Sequence, residues 1–138
     1  MAITRNQQHY IVMTVIYDEL VDFYHGEDKI FRDARMLISE LCEAPYEECD
    51  DYIKNVVAYS LNKYGEIKEA YSKHLKDWKW ERLPLLTQAI LLMSYVHFYY
   101  VEKADKRVII NIAVDLAKKY VDEKQPKFIN AILDKVLE

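Results

Sequence analysis

Apolar residues recur at three- and four-residue intervals along almost the whole chain, the spacing of one face of an α-helix. Val12, Val15, Ile16, Leu20 and Phe23 mark a first helix. Gly26 is expected to stop it, because glycine accepts the left-handed backbone of a helix C-terminus. Ile30, Phe31, Ala34, Leu37, Ile38, Leu41 and Cys42 mark a second, closed by Ala44-Pro45, since the residue before proline disfavours helical backbone. Ile53, Val56, Val57, Ser60, Leu61 and Tyr64 form a third, predicted to end near Gly65. A shorter fourth runs through Ile67, Ala70, Tyr71, His74, Leu75 and Trp78.

From Leu85 to about Tyr100 the chain is apolar almost all round. A helix of that kind is central, or shared with a partner. Pro84 is compatible with its first turn. Ile109, Ile112, Ala113, Leu116, Ala117 and Tyr120 make the sixth stripe. Pro126 opens a seventh, with Phe128, Ile129, Ile132, Leu133, Val136 and Leu137 on one side. The pattern predicts an all-α protein of about seven helices, a single domain over residues 1–138, with no repeat and no linker.

Composition narrows this further. Two glycines and three prolines in 138 residues leave no material for the regular turns of a sandwich or barrel, or for a glycine-rich phosphate loop. Net charge is −4, so a whole-chain electrostatic grip on nucleic acid is not expected, although a local basic face is compatible with it. The charge is uneven. Residues 103–138 carry eight Lys/Arg against six Asp/Glu, while residues 1–102 carry eleven against seventeen. Two cysteines, Cys42 and Cys49, suggest no disulfide framework and fit a reducing compartment. The N-terminus lacks a signal-peptide pattern, and Ala89 to Val101 falls short of a membrane span. A cytoplasmic protein with no membrane contact is expected.

The residues offer little for catalysis. There is no HExxH motif, and one cysteine pair without a second is a weak zinc signal. Glu47/Glu48 and Asp50/Asp51 read as a solvated helix start, where acids favour the positive end of the helix dipole. No metal, no cofactor and no enzymatic activity are expected. Tyrosine is the unusual residue, twelve in all. Tyr59 and Tyr64 fall near buried faces, whereas Tyr95, Tyr99 and Tyr100 sit on the most apolar helix, open to either core or interface.

Two stretches carry more than pattern. One reads Val108-Ile109-Ile110-Asn111-Ile112-Ala113-Val114-Asp115-Leu116-Ala117-Lys118-Lys119-Tyr120, and the other Pro126-Lys127-Phe128-Ile129-Asn130-Ala131-Ile132-Leu133-Asp134-Lys135. They resemble the NusB family of bacterial transcription antitermination factors, in which the corresponding motifs read approximately V-A-I-N-E-A-V-E-L-A-K and K-F-V-N-G-V-L-D-K. Val15-Ile16-Tyr17 fits the family's A-L-Y.

The resemblance implies two small helical bundles packed orthogonally. It implies a factor that binds boxA-type single-stranded RNA together with NusE, a small-subunit ribosomal protein, and that acts in the antitermination complex of RNA polymerase on ribosomal RNA operons. Members occur as monomers and as dimers, so a homodimer stays open. The family's arginine-rich N-terminal segment falls on Arg5, Asn6, Gln7 and His9, of which only Arg5 keeps a permanent positive charge. Its second RNA-contacting region falls on Lys124, Lys127, Phe128 and Asn130, with Lys118 and Lys119 nearby. A helix N-terminus flanked by lysines is a reasonable anion site. Asn111 and Asn130 are expected to tie neighbouring loops by hydrogen bonds.

Leu85, Gln88, Leu92, Tyr95, His97 and Tyr99 are the candidates for meeting the protein partner. Leu92 and His97 stand where the family commonly has charged residues. With the depleted N-terminus, they support the alternative of a NusB-fold protein-interaction module with reduced or lost RNA binding. Val121 and Ala131 replace glycines common in the motifs. Ala131 raises local helix propensity by about 1 kcal/mol over glycine.

Overall fold

In the computed structural model, which describes residues 3–25 and 30–138, the chain folds into seven α-helices. Gly26, expected to stop the first helix, lies outside the described residues, as do the side chains of residues 30–33, which include Ile30 and Phe31 of the second stripe. The helices are α1 (Arg5–Tyr24), α2 (Ile30–Cys42), α3 (Asp51–Asn62), α4 (Tyr64–Ser72), α5 (Leu85–Val96), α6 (Lys106–Tyr120) and α7 (Gln125–Val136). Among the described residues there is no strand, and no helix is long and apolar enough to cross a membrane.

The helix starts are written in short polar side chains. Thr4 caps α1, and Asp50 and Asp105 cap α3 and α6 by accepting from Tyr52 N (2.8 Å) and Arg107 N (3.0 Å). Asp50 and Asp51 therefore sit at a helix start, as the cap and in the first turn, while Glu47 and Glu48 fall in a short 3-10 turn before it. After α2 the chain turns through Glu43 at φ 53°, and Ala44 N bonds back to Ser39 O at 3.2 Å. That is the six-to-one bond of a Schellman ending, made here without glycine.

Several boundaries differ from the periodicity. Gly65 does not end α3. The break falls at Lys63 (φ −103°, ψ 17°), and Gly65 lies inside the first turn of α4. That helix stops at Ser72, where His74 N→Tyr71 O (2.9 Å) and Leu75 N→Ser72 O (3.2 Å) tighten the last turn. Beyond it Lys73, Lys76, Asp77 and Lys79 leave no buried face, and Trp78 is 60% exposed. Phe23 is exposed as well and packs edge-on to Tyr24. At the end of α5, His97–Val101 form a wider π turn, closed by Glu102 N→His97 O at 3.4 Å.

α5 is the hub. Residues Thr87–Ser94 are all buried, and the helix touches α1, α3, α4, α6 and α7. α1, α2 and α3 pack on one another on one side of it, while α6 and α7 pair on the other, with α4 against α7. α1 buries Val12, Val15, Ile16 and Leu20 in this core, and α7 buries Ile129, Ile132 and Leu133.

Candidate nucleic-acid interface

The start of α1 is shaped first by its own capping. Thr4 Oγ1 accepts from Gln7 N (3.2 Å), and Thr4 N donates to Gln7 Oε1 (2.8 Å). Gln7 thereby holds the helix end, and its amide oxygen is already engaged. Asn6 is exposed, while His9 is only 4% exposed.

Arg5 is engaged too. Its guanidinium lies 4.2 Å above the Tyr52 ring, and Nη2 donates to Glu102 Oε1 at 3.2 Å. Tyr52 and Glu102 belong to a cluster that no motif announced. The Tyr52 hydroxyl meets His97 Nδ1 at 3.2 Å, His97 Nε2 lies 3.6 Å from Glu102 Oε2, and the His9 ring stands edge-on to Tyr52. Burial, then the nearby His97 and Arg5, pull the His9 pKa down to about 4. Burial also lowers that of His97, with Glu102 opposing it. Both imidazoles are neutral at pH 7. Arg5 is then the fixed cation of this end, and Glu102 balances it.

The junction of α6 and α7 is different. Lys118 and Lys119 end α6, Lys124 and Lys127 flank the start of α7, and all four are exposed. Among the described residues none of the four forms an ion pair. The α7 N-terminus is not an open anion site, however. Asp122 Oδ1 accepts from Lys124 N (2.8 Å) and Gln125 N (2.9 Å), so a carboxylate of the chain already occupies it. Phe128 is half-buried against the core. Asn111 and Asn130 are exposed, and among the described residues neither side chain bonds to a loop. Val121 turns the chain with a negative φ of −109°, and Ala131 is exposed, so neither replaced glycine is needed here for a left-handed turn or a close approach.

The fold brings the start of α1 beside the end of α6, and leaves Lys124, Lys127 and Phe128 at the start of α7 outside the groove between them. This groove runs between α1 and α6, lined by Asn6, His9 and Tyr10 on one wall and Ile112, Asp115, Leu116, Lys119 and Tyr120 on the other. Tyr10 and Tyr120 bridge it, with ring centroids 5.2 Å apart and planes at 47°. On the far side of Tyr10 a second groove is lined by Ile3, Gln7, Ile11, Leu41, Cys42, Glu43 and Ala44. Tyr10, Asp115 and Tyr120 were not singled out as site residues from sequence. The available signal was the excess of tyrosine, which says nothing about which helix ends meet.

The partner candidates on α5 divide. Gln88 and Leu92 have no exposed surface. Gln88 Nε2 donates to Trp80 O (3.1 Å) and Leu83 O (3.2 Å), closing the turn before α5, and Leu92 lies in the core. A partner cannot touch either directly, because neighbouring helices surround α5. His97 is buried in the Tyr52 cluster. Leu85 and Tyr95 are half-buried, and Tyr99 is exposed, although its hydroxyl donates to Val136 O at 2.9 Å. Tyr59, expected near a buried face, is exposed and stacks on Tyr100 at 5.5 Å. Among the described residues no group of three His, Cys, Asp or Glu side chains could hold a metal ion.

The NusB family matches residues 15–138. The transcription antitermination protein NusB of Clostridium botulinum (strain Alaska E43 / Type E3) is 37% identical over 97 residues, covering 70% of this chain and 73% of the relative. Among solved structures, T. maritima NusB superposes with a TM-score of 0.76 at 21% identity, over 99% of this chain and 92% of that one. A crystal structure of the antitermination factors NusB and NusE in complex with dsRNA contains a chain that superposes with a TM-score of 0.74 at 23% identity, covering 96% of this chain and 95% of that one.

Proposed function

The chain belongs to the NusB family, and from that premise we propose that it is a transcription antitermination factor binding boxA-type single-stranded RNA together with NusE, by stoichiometric association. Support comes from curated relatives named as transcription antitermination proteins, and from the similar fold that was crystallised with NusE and dsRNA.

One observation carries the reading to this chain. The α1–α6 groove runs from Asn6 and His9 of the first resembling region to Lys119 and Tyr120 at the end of α6, while Lys124, Lys127 and Phe128 of the second region lie outside its lining. Lys118, Lys119, Lys124 and Lys127 supply cations without internal partners among the described residues. Sequence-specific RNA binding reads unpaired bases by stacking and edge contacts, so a local strip of this kind is enough in an acidic protein. Leu85, Tyr95 and Tyr99 are the members of the partner set with surface to offer NusE.

The test is a titration of labelled boxA RNA with the protein, with and without NusE, at two salt concentrations. Binding in the presence of NusE that weakens with salt is expected. No binding with NusE at low salt would overturn the reading. A protein-interaction module with reduced RNA affinity is the second reading. It is favoured by the pairing of Arg5 with Glu102 and by Asp122 at the α7 N-terminus. NusE binding without any gain in RNA affinity is its signature.

A further inference from the structure

The groove between α1 and α6 is lined by polar side chains without protein partners among the described residues. His9 forms part of its wall, is almost wholly buried, and among the described residues its Nε2 has no hydrogen-bond partner. Asn6 and Asp115, from opposite walls, are exposed and make no side-chain hydrogen bond or ion pair among the described residues. Tyr10 and Tyr120 each keep 41% of their surface open while lining the same groove. Lys119 supplies an ammonium group beside them.

We infer that this groove is a slot for one unpaired nucleobase bearing an exocyclic amino group. The inference rests on the RNA-binding reading above. At 5.2 Å and 47° the two tyrosine rings leave no room for a base between them. The base therefore packs against the open flank of the pair. Its amino group donates to the Asp115 carboxylate, the Asn6 amide meets its remaining edge, and His9 stays part of the wall. Lys119 takes an adjoining phosphate. A carboxylate accepts well from the amino group of cytosine, adenine or guanine, whereas uracil offers it only N3–H flanked by two repelling carbonyl oxygens. The walls hold an amide, a carboxylate, an imidazole and an ammonium group beside the aliphatic Ile112 and Leu116, which suits a base better than an apolar peptide side chain.

The test uses the full chain with NusE and a labelled boxA RNA, scanned with an abasic substitution at each nucleotide in turn. Tyr10→Leu and Tyr120→Leu are expected to weaken binding about 5- to 150-fold with the salt slope unchanged, the range for one lost stack. One abasic position should cost the wild-type protein the same factor and cost Tyr120→Leu nothing further. Both side chains are exposed, so the variants should keep the fold, as thermal melting would confirm. Tyr120→Phe keeps the ring and should bind like wild type, which guards against a loss caused by folding. Leu variants that bind like wild type, or abasic losses that simply add to theirs, overturn the slot while RNA binding stands. A uracil at the sensitive position overturns the amino-base assignment. Wild-type protein that fails to bind boxA RNA with NusE overturns the RNA reading, and the slot with it.

Discussion

At the start of α1 most polar side chains are already engaged within the protein, whereas at the α6–α7 junction the lysines are engaged by nothing among the described residues. Arg5 is held by Tyr52 and Glu102, Gln7 by Thr4, and His9 is buried against Tyr52. Lys118, Lys119, Lys124 and Lys127 stand free in solvent. Both regions carry family-like positions, yet in one the side chains hold helices together and in the other the ammonium groups are left open among the described residues. A charge counts toward phosphate binding only when the fold has not already neutralised it.

The comparison breaks first at Tyr52, which is 3% exposed and joins α1, α3 and the π turn after α5. Tyr52→Ala should cost about 3–4 kcal/mol of stability in urea unfolding, the scale of a buried aromatic deletion. Lysine substitutions at the α6–α7 junction should stay within about 0.5 kcal/mol. Equal costs at the two ends would erase the distinction.

His9 has a native pKa of about 4 against an ordinary value of 6.5, so the unfolded chain binds the proton more readily. Stability from this group is fully present above pH 6.5 and is lost as pH falls toward 4, by roughly 2–3 kcal/mol. Urea midpoints measured across that window should fall, and fall less in His9→Gln. A midpoint that is flat from pH 6.5 to 4 would show that His9 is not held neutral.

Replacing Lys118, Lys119, Lys124 and Lys127 together with glutamine should lower boxA RNA affinity about tenfold or more. The salt slope should flatten by up to about 3, at roughly 0.7 per phosphate contact for a single strand. An unchanged slope would move the phosphate site elsewhere. The smallest effect belongs to Glu102→Gln. It frees Arg5 from a half-exposed ion pair, a contact worth about 0–1 kcal/mol, and should strengthen RNA binding by no more than that. The same change removes the carboxylate that raises the His97 pKa, so an NMR titration should find that pKa lower still.

Much of this fold is legible in the stripes, because burying one helical face requires apolar residues three and four apart whatever the neighbours are. Boundaries are less legible. Gly65 looked like a stop, yet at an exposed first turn a glycine has nothing to terminate, and the break fell on Lys63. The π turn at His97–Val101 has no periodic signature either, since it continues an apolar run while shifting its phase. Of the candidate site, the lysines could be read because exposure is their ordinary state. Gln88 and Leu92 could not, because an all-apolar helix does not say which of its faces is left uncovered.

The chain by itself determined the all-α class, the helix count and the membership motifs in α6 and α7. Local periodicity, capping residues and a scarcity of glycine act within a few positions of one another. Tertiary structure alone decided that Tyr10 meets Tyr120, that Glu102 cancels Arg5 and that Asp122 fills the α7 start. The two tyrosines are far apart in sequence, as are Arg5 and Glu102. Asp122 is local, but its action depends on the turn geometry. Charge pairing and groove formation follow from distances that only the packed chain defines.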